Sequence, residues 1–223
     1  MKRTLFILIG GLLFSSMGLH AQAITLNGDR LVPNQVSMSF ERVMGKEALK
    51  VVKDSTIQKV DEPTFVRIKG IDFTNGTIEV KVLSRLLRSA PETARGFIGV
   101  AFRINETNTK YESIYIRPTN GRAEDQVRRN HSIQYYSYPD YKFDRLRKEA
   151  PERYESYADM ALNEWITMKI VVNGQKAQLY LGDNKQPSLV VNDLKLGADA
   201  SGGIGLWVDV GTEGYFADLK MTK

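Results

Sequence analysis

The chain contains no cysteine among its 223 residues, which excludes disulfides, thiolate metal ligands and a lipid-modified cysteine at a processing site. Histidine is nearly as scarce, with only His20 and His131. The most apolar stretch, Leu5 through Leu13, is broken by Gly10 and Gly11 and falls short of the roughly 20 residues a spanning helix needs, so no transmembrane segment is expected. No charge of one sign dominates, with 31 Lys and Arg against 26 Asp and Glu. There is no internal repeat, no phosphate-binding glycine loop, no dinucleotide fingerprint and no Ser-His-Asp elbow.

What the N-terminus does have is a basic Lys2-Arg3 pair, the short apolar run, and Ala21-Gln22-Ala23 with small residues at the two positions a signal peptidase reads. Residues 1–23 are therefore expected to be a signal peptide, with cleavage near Ala23, a secreted or periplasmic location, and one domain over residues 24–223. Cleavage removes Lys2 and Arg3, leaving 29 basic residues against 26 acidic ones. So weak a balance, outside the cell interior, argues against a nucleic-acid partner.

The mature chain reads as short β-rich runs separated by turn residues. Strands are predicted near residues 36–40, 48–53, 64–68, 77–84, 97–104, 111–117, 132–137, 165–172, 177–181, 189–191, 204–210 and 215–221. Asn75-Gly76, Asn120-Gly121, Asn173-Gly174, Gly182-Asp183 and Gly202-Gly203 supply the left-handed backbone that tight connections require. About a dozen strands in this length imply an all-β, two-sheet jelly-roll sandwich. Asp140 to Asp159 reads as a decorated loop with a short helix around Phe143, Leu146 and Arg147, ended by Pro151.

Alternation within three strands separates a core face from an outer one. Ile98, Val100, Phe102 and Ile104 face the core, leaving Gly99, Ala101 and Arg103 opposite; Ile114 and Ile116 leave Tyr111, Tyr115 and Arg117; Ile204, Leu206 and Val208 leave Gly203, Gly205, Trp207 and Asp209. The expected result is a shallow outward trough of small, aromatic and charged residues. Sugars suit such a trough, because a pyranose packs its C–H face on an aromatic ring while its hydroxyls need polar partners. A carbohydrate or glycoside is the expected partner, with Arg103, Tyr115, Arg117, Gln134, Tyr136 and Trp207 as candidate ligand-binding residues. The segment from Tyr111 to Met160 is dense in Tyr and Arg, fitting an anionic or polyhydroxylated ligand or a salt-bridged surface loop.

Candidate catalytic groups are Glu112, His131 and Asp209, with Glu164 and Glu213 weaker. His131 titrates near neutrality, as a general base must. The Glu-x-Asp-x-x-Glu arrangement of laminarinase-like sandwiches is missing, since no Glu is followed two positions later by Asp. No cofactor is expected and no metal site is indicated, although a structural calcium ion on Asp and backbone oxygens stays open.

The order GFIGVAFRI (96–104), YESIYIRP (111–118), HSIQYYSYP (131–139), NEWITMKIVVNGQKAQLYL (163–181) and GGIGLWVDVGTEGYFADLKM (202–221) resembles the bacterial 3-keto-disaccharide hydrolase-like domains. The resemblance covers roughly residues 36–223. It implies a concanavalin A-like lectin/glucanase jelly roll, and its first motif places the family's arginine at Arg103. It also implies, as one alternative, hydrolysis of a 3-keto-glycoside, with an acid or His131 abstracting the proton next to the ketone and Arg103 or Arg117 facing the enolate oxygen. A glycan-binding module and a structural module of the cell envelope stay open beside it. An enzyme should bring Glu112, Asp209 or His131 into one pocket with an arginine; a binder should present an open aromatic trough.

Overall fold

The computed structural model describes residues 22–223, so the expected signal peptide lies outside the described residues except for Gln22 and Ala23. The strands run in order β1 (Gln22–Ala23), β2 (Leu31–Asn34), β3 (Val36–Val43), β4 (Lys46–Lys53), β5 (Phe65–Phe73), β6 (Gly76–Leu86), β7 (Ile98–Ile104), β8 (Tyr111–Ile116), β9 (Ile133–Tyr138), β10 (Glu155–Ser156), β11 (Ile166–Asn173), β12 (Lys176–Leu181), β13 (Leu189–Val191), β14 (Gly202–Val208) and β15 (Thr212–Thr222). Three short helices, α1 (Pro118–Gly121), α2 (Gln126–Asn130) and α3 (Phe143–Glu149), interrupt them. Every strand expected from the sequence is present, and α3 is the helix expected before Pro151.

All pairings are antiparallel and form two sheets. The first has the order β13-β12-β11-β6-β15-β4-β3, with β1 also on β15; the second has the order β10-β9-β8-β7-β14-β5-β2. In the first sheet β6, β11 and β12 alternate. Ile78, Val80, Val82, Met168, Ile170, Val172, Leu179 and Leu181 are buried, and the residues between them are partly exposed. That is the pattern of a sheet with one wet face.

The second sheet departs from the expected outward trough. β7 and β8 are buried at every residue, β14 at six of its seven. One face packs on the first sheet through Val66, Val100, Ile114 and Leu206. The other carries Tyr111, Tyr115, Tyr136 and Trp207, and it is covered by the chain before β5 and by the excursion between β9 and β10. The cover is fastened at three points. The Trp207 indole Nε1 donates to the Glu62 carbonyl at 2.9 Å, the Glu62 carboxylate accepts from Lys142 Nζ at 2.5 Å and from the Tyr138 hydroxyl at 3.1 Å, and the Phe143 amide donates to the Asp61 carboxylate at 3.0 Å. Trp207 is 0 % exposed, Tyr136 0 % and Tyr115 1 %. These rings are a second core.

Gly99 explains how they meet. It pairs with Tyr115 on one side and Trp207 on the other. A Cβ at Gly99 would lie 2.5 Å from the Tyr115 Cα and Cβ. With only hydrogen there, the two rings lean together over the glycine strand to a centroid separation of 4.7 Å. Tyr111 and Tyr136 extend the cluster edge to face at 5.7 Å and share a hydroxyl hydrogen bond of 2.9 Å.

Candidate functional site

The Phe97 end of β7 opens into a cavity of about 640 Å³, within the roughly 300–1,000 Å³ usual for small-molecule sites. β8 contributes Tyr115 to it and Arg117 follows directly; the chain after β14 brings Asp209 and Val210, the segment leading into β7 brings Arg95 and Phe97, and the covering loops bring Asp61, Asn120, Arg128, His131, Phe143 and Arg147. Two of the expected catalytic candidates, His131 and Asp209, therefore line one pocket with an arginine. The third does not.

Glu112 sits on the opposite face of β8, at its other end. Its carboxylate accepts from the Tyr135 hydroxyl at 2.5 Å and from the Leu196 amide at 2.7 Å, and burial raises its pKa. Arg103 lies at the same far end, about 20 Å along β7 from the pocket at the usual strand rise. Its positive φ of 55° coincides with a register shift between β7 and β14, so the simple alternation that aimed it outward is broken there. The guanidinium is buried and donates to the carbonyls of Thr74, Gly174 and Gly197 at 2.8–2.9 Å, tying three turns together. Arg103 and Glu112 hold the end of the sandwich away from the cavity.

Within the pocket the groups divide by whether their polar atoms are engaged. Asp209 is fully engaged: Oδ1 accepts from Lys53 Nζ at 2.5 Å and from the Val210 amide at 2.7 Å, while Oδ2 accepts from the Asp61 amide at 2.8 Å. Arg117 is also engaged, donating to the Tyr115 hydroxyl at 2.8 Å, to the His131 carbonyl at 3.0 Å, and to Gln134 Oε1 and Glu155 Oε1 at 3.2 Å. Gln134 completes its own bonding through Nε2 to the Tyr135 carbonyl at 2.7 Å. Glu155 is the hub of this network. Burial opposes its charge, but Arg147 at 2.5 Å and Arg117 hold its pKa below the usual carboxylate value. His131 Nε2 is 3.6 Å from Glu155, and burial lowers its pKa against the opposing charge of Glu155.

Asp61 is the group sequence reasoning did not single out. Its side chain is 1 % exposed, Oδ2 accepts from the Phe143 amide, and no donor among the described residues reaches Oδ1. Burial, and after it the negative charge of Asp209, push its pKa up to about 7; the Phe143 amide, Arg117 and Lys142 only partly oppose this. The backbone is left-handed there, φ 51°, a conformation Asp tolerates better than most residues. An acid lining a cavity, half-ionised near neutrality and with one oxygen unbonded, is equipped to move a proton. Arg95 was missed as well. Neither lies in a strand whose alternation would have drawn attention to it.

Among the described residues no group of three or more His, Asp or Glu side chains is arranged to hold a metal ion. No described helix is long and apolar enough to cross a membrane.

Solved structures with the same architecture include a carbohydrate-binding module, CBM66, from Bacillus subtilis, at TM-score 0.54 and 10% identity over 86% of this chain and 97% of that one. A Bacillus subtilis protein of unknown function with a galectin-like fold aligns at TM-score 0.51 and 11% identity, over 84% of this chain and 87% of its own. The fold is a galectin-like jelly roll. A protein from Parabacteroides distasonis provisionally named a glycosyl hydrolase has the same jelly roll at TM-score 0.50 and 15% identity, over 86% of this chain and 98% of that one. No protein-family model and no curated protein matches the chain. The two-sheet jelly roll expected from the sequence is thus the observed fold.

Proposed function

We propose that the protein is an exported, carbohydrate-active jelly roll whose working site is the Asp61 pocket, and that the pocket cleaves a glycoside by proton transfer. The observation that carries this is the convergence of Asp61, poised near pH 7 with a free oxygen, with Asp209, His131 and arginines in one cavity. The resemblance to 3-keto-disaccharide hydrolase-like domains supplies the reaction. Asp61 removes the C2 proton beside the C3 ketone, and the C–H electron pair moves onto the ketone oxygen as an enolate. Collapse of the enolate expels the C1 oxygen, which takes the proton back from Asp61, and water then adds to the enone. Electrostatic stabilisation of the enolate falls to Arg117, whose positive charge already acts on Asp61.

The test is incubation with a 3-keto-disaccharide and with its unoxidised parent, following both retention and sugar release. Release from the keto sugar alone is expected, rising with pH through about 7 as Asp61 ionises, and Asp61→Asn should reduce it by about 10²–10⁴-fold. Release that survives in Asp61→Asn removes this assignment. Retention without release supports the second reading, a glycan-binding module, to which the name of the CBM66 neighbour lends its chemistry. Export rests on Lys2-Arg3, the apolar run and Ala21-Gln22-Ala23. The processed protein should begin at Ile24, read by N-terminal sequencing; an intact Met1 would oppose it.

A further inference from the structure

The charges around the pocket do not cancel. Lys53 answers Asp209, and Glu155 is shared by Arg117 and Arg147. Arg95 and Arg128 have no carboxylate within ion-pair distance among the described residues. Arg95 Nη1 donates to the Glu92 and Ala94 carbonyls, at 2.5 and 2.8 Å, and its remaining guanidinium nitrogens have no acceptor among the described residues. Arg128 Nε donates to Asn120 Oδ1 at 2.9 Å and Nη2 to the Thr119 hydroxyl at 3.1 Å, leaving Nη1 free. Arg95 is only half-buried, yet its pKa is lowered, by burial first and then by the positive charge of Arg128, with the charge of Glu92 partly opposing this and that of Arg117 adding to it. Two arginines held together against their own repulsion, each oriented by neutral acceptors and each with donors left over, form a ready seat for an anion. Asp125, which also lines the cavity, accepts the Arg128 backbone amide at 2.6 Å as the cap of α2.

We infer that the pocket selects a saccharide bearing an anionic group, a carboxylate or a sulfate ester, which Arg95 and Arg128 grip while the sugar ring lies toward Asp61 and Tyr115. This rests on the saccharide reading of the same pocket and adds the substrate class to it. A neutral sugar would leave the two guanidinium groups without a counter-charge. An anionic one supplies it and forms charge-assisted hydrogen bonds in a partly desolvated cavity.

Calorimetric titration of the protein at low ionic strength distinguishes the possibilities, using a glucuronic acid-containing disaccharide, a sulfated disaccharide, the matched neutral disaccharide and inorganic sulfate as separate probes. At least one anionic sugar should bind tenfold or more tightly than the neutral one. That advantage should weaken steeply with added salt and disappear in the Arg95→Gln/Arg128→Gln double variant, with neutral-sugar binding unchanged. Equal affinities for charged and neutral sugars, or an advantage that survives the double variant, overturn the inference and leave the saccharide site standing. Inorganic sulfate binding that depends on both arginines, with no sugar bound, keeps the anion seat and overturns the saccharide reading. Failure of all four probes overturns both.

Discussion

Asp61→Asn is expected to make the protein more stable, and increasingly so as the pH rises. A carboxyl whose folded pKa is raised contributes its full stability below its unfolded value, and that contribution is lost as pH climbs from the unfolded pKa of 3.8 to the folded value of about 7. The charged form is by then buried beside Asp209, so the penalty grows to about 4 kcal/mol at most above pH 7, taking 1.36 kcal/mol per pKa unit. Asparagine keeps an acceptor for the Phe143 amide and carries no charge. Chemical denaturation of both proteins from pH 4 to pH 9 should show curves that meet near pH 4 and diverge steadily toward pH 8. Parallel curves would mean that Asp61 titrates like an ordinary surface acid. A gain in stability together with a loss of turnover marks a group retained for chemistry at the expense of the fold.

Trp207→Ala is expected to act in the opposite direction, costing about 3–5 kcal/mol as a large buried ring is deleted. The cost has two parts. A cavity opens between Tyr115 and Tyr136, whose ring centroids lie 4.7 and 5.6 Å from the indole, and the Glu62 carbonyl loses its 2.9 Å donor. Because Glu62 follows Asp61, the change also frees the loop that carries the acid, so sugar binding should weaken as a consequence of lost stability. Urea unfolding separates this from a sugar-stacking role. A variant with unchanged midpoint and lost sugar affinity would place Trp207 on an open surface after all.

Those two residues show what could be read from the sequence and what could not. The strands were legible because alternation and Asn-Gly turns are local signals, and the order of small and aromatic residues in β7, β8 and β14 correctly put Gly99, Tyr115 and Trp207 on one face. Whether that face meets water is not a local property. It is decided by loops tens of residues away, through the bonds from Trp207 to Glu62 and from Phe143 to Asp61. An outer face so rich in Tyr, Trp, Gly and Ala was itself a hint of burial, since a sheet covered on both sides loses its polar alternation.

Arg103 failed for a different reason. A single residue in left-handed backbone turned it out of register, and no pattern in IGVAFRI announces that. His131 and Asp209 were singled out because their chemistry is conspicuous, and both line the cavity. Asp61 was missed because an Asp-Glu-Pro stretch in a loop looks like solvent-exposed turn; only the docking of that loop against Asp209 makes it a buried acid.

The Asp61 carboxyl decides where the working site lies, and a carbon-13 NMR titration of aspartate side-chain carboxyls, with Asp61→Asn to assign the resonance, addresses it directly. The Asp61 signal should titrate near pH 7 and shift when a bound saccharide is added. A midpoint near 4, or a signal indifferent to every saccharide the protein binds, would contradict the placement of the working site in this pocket.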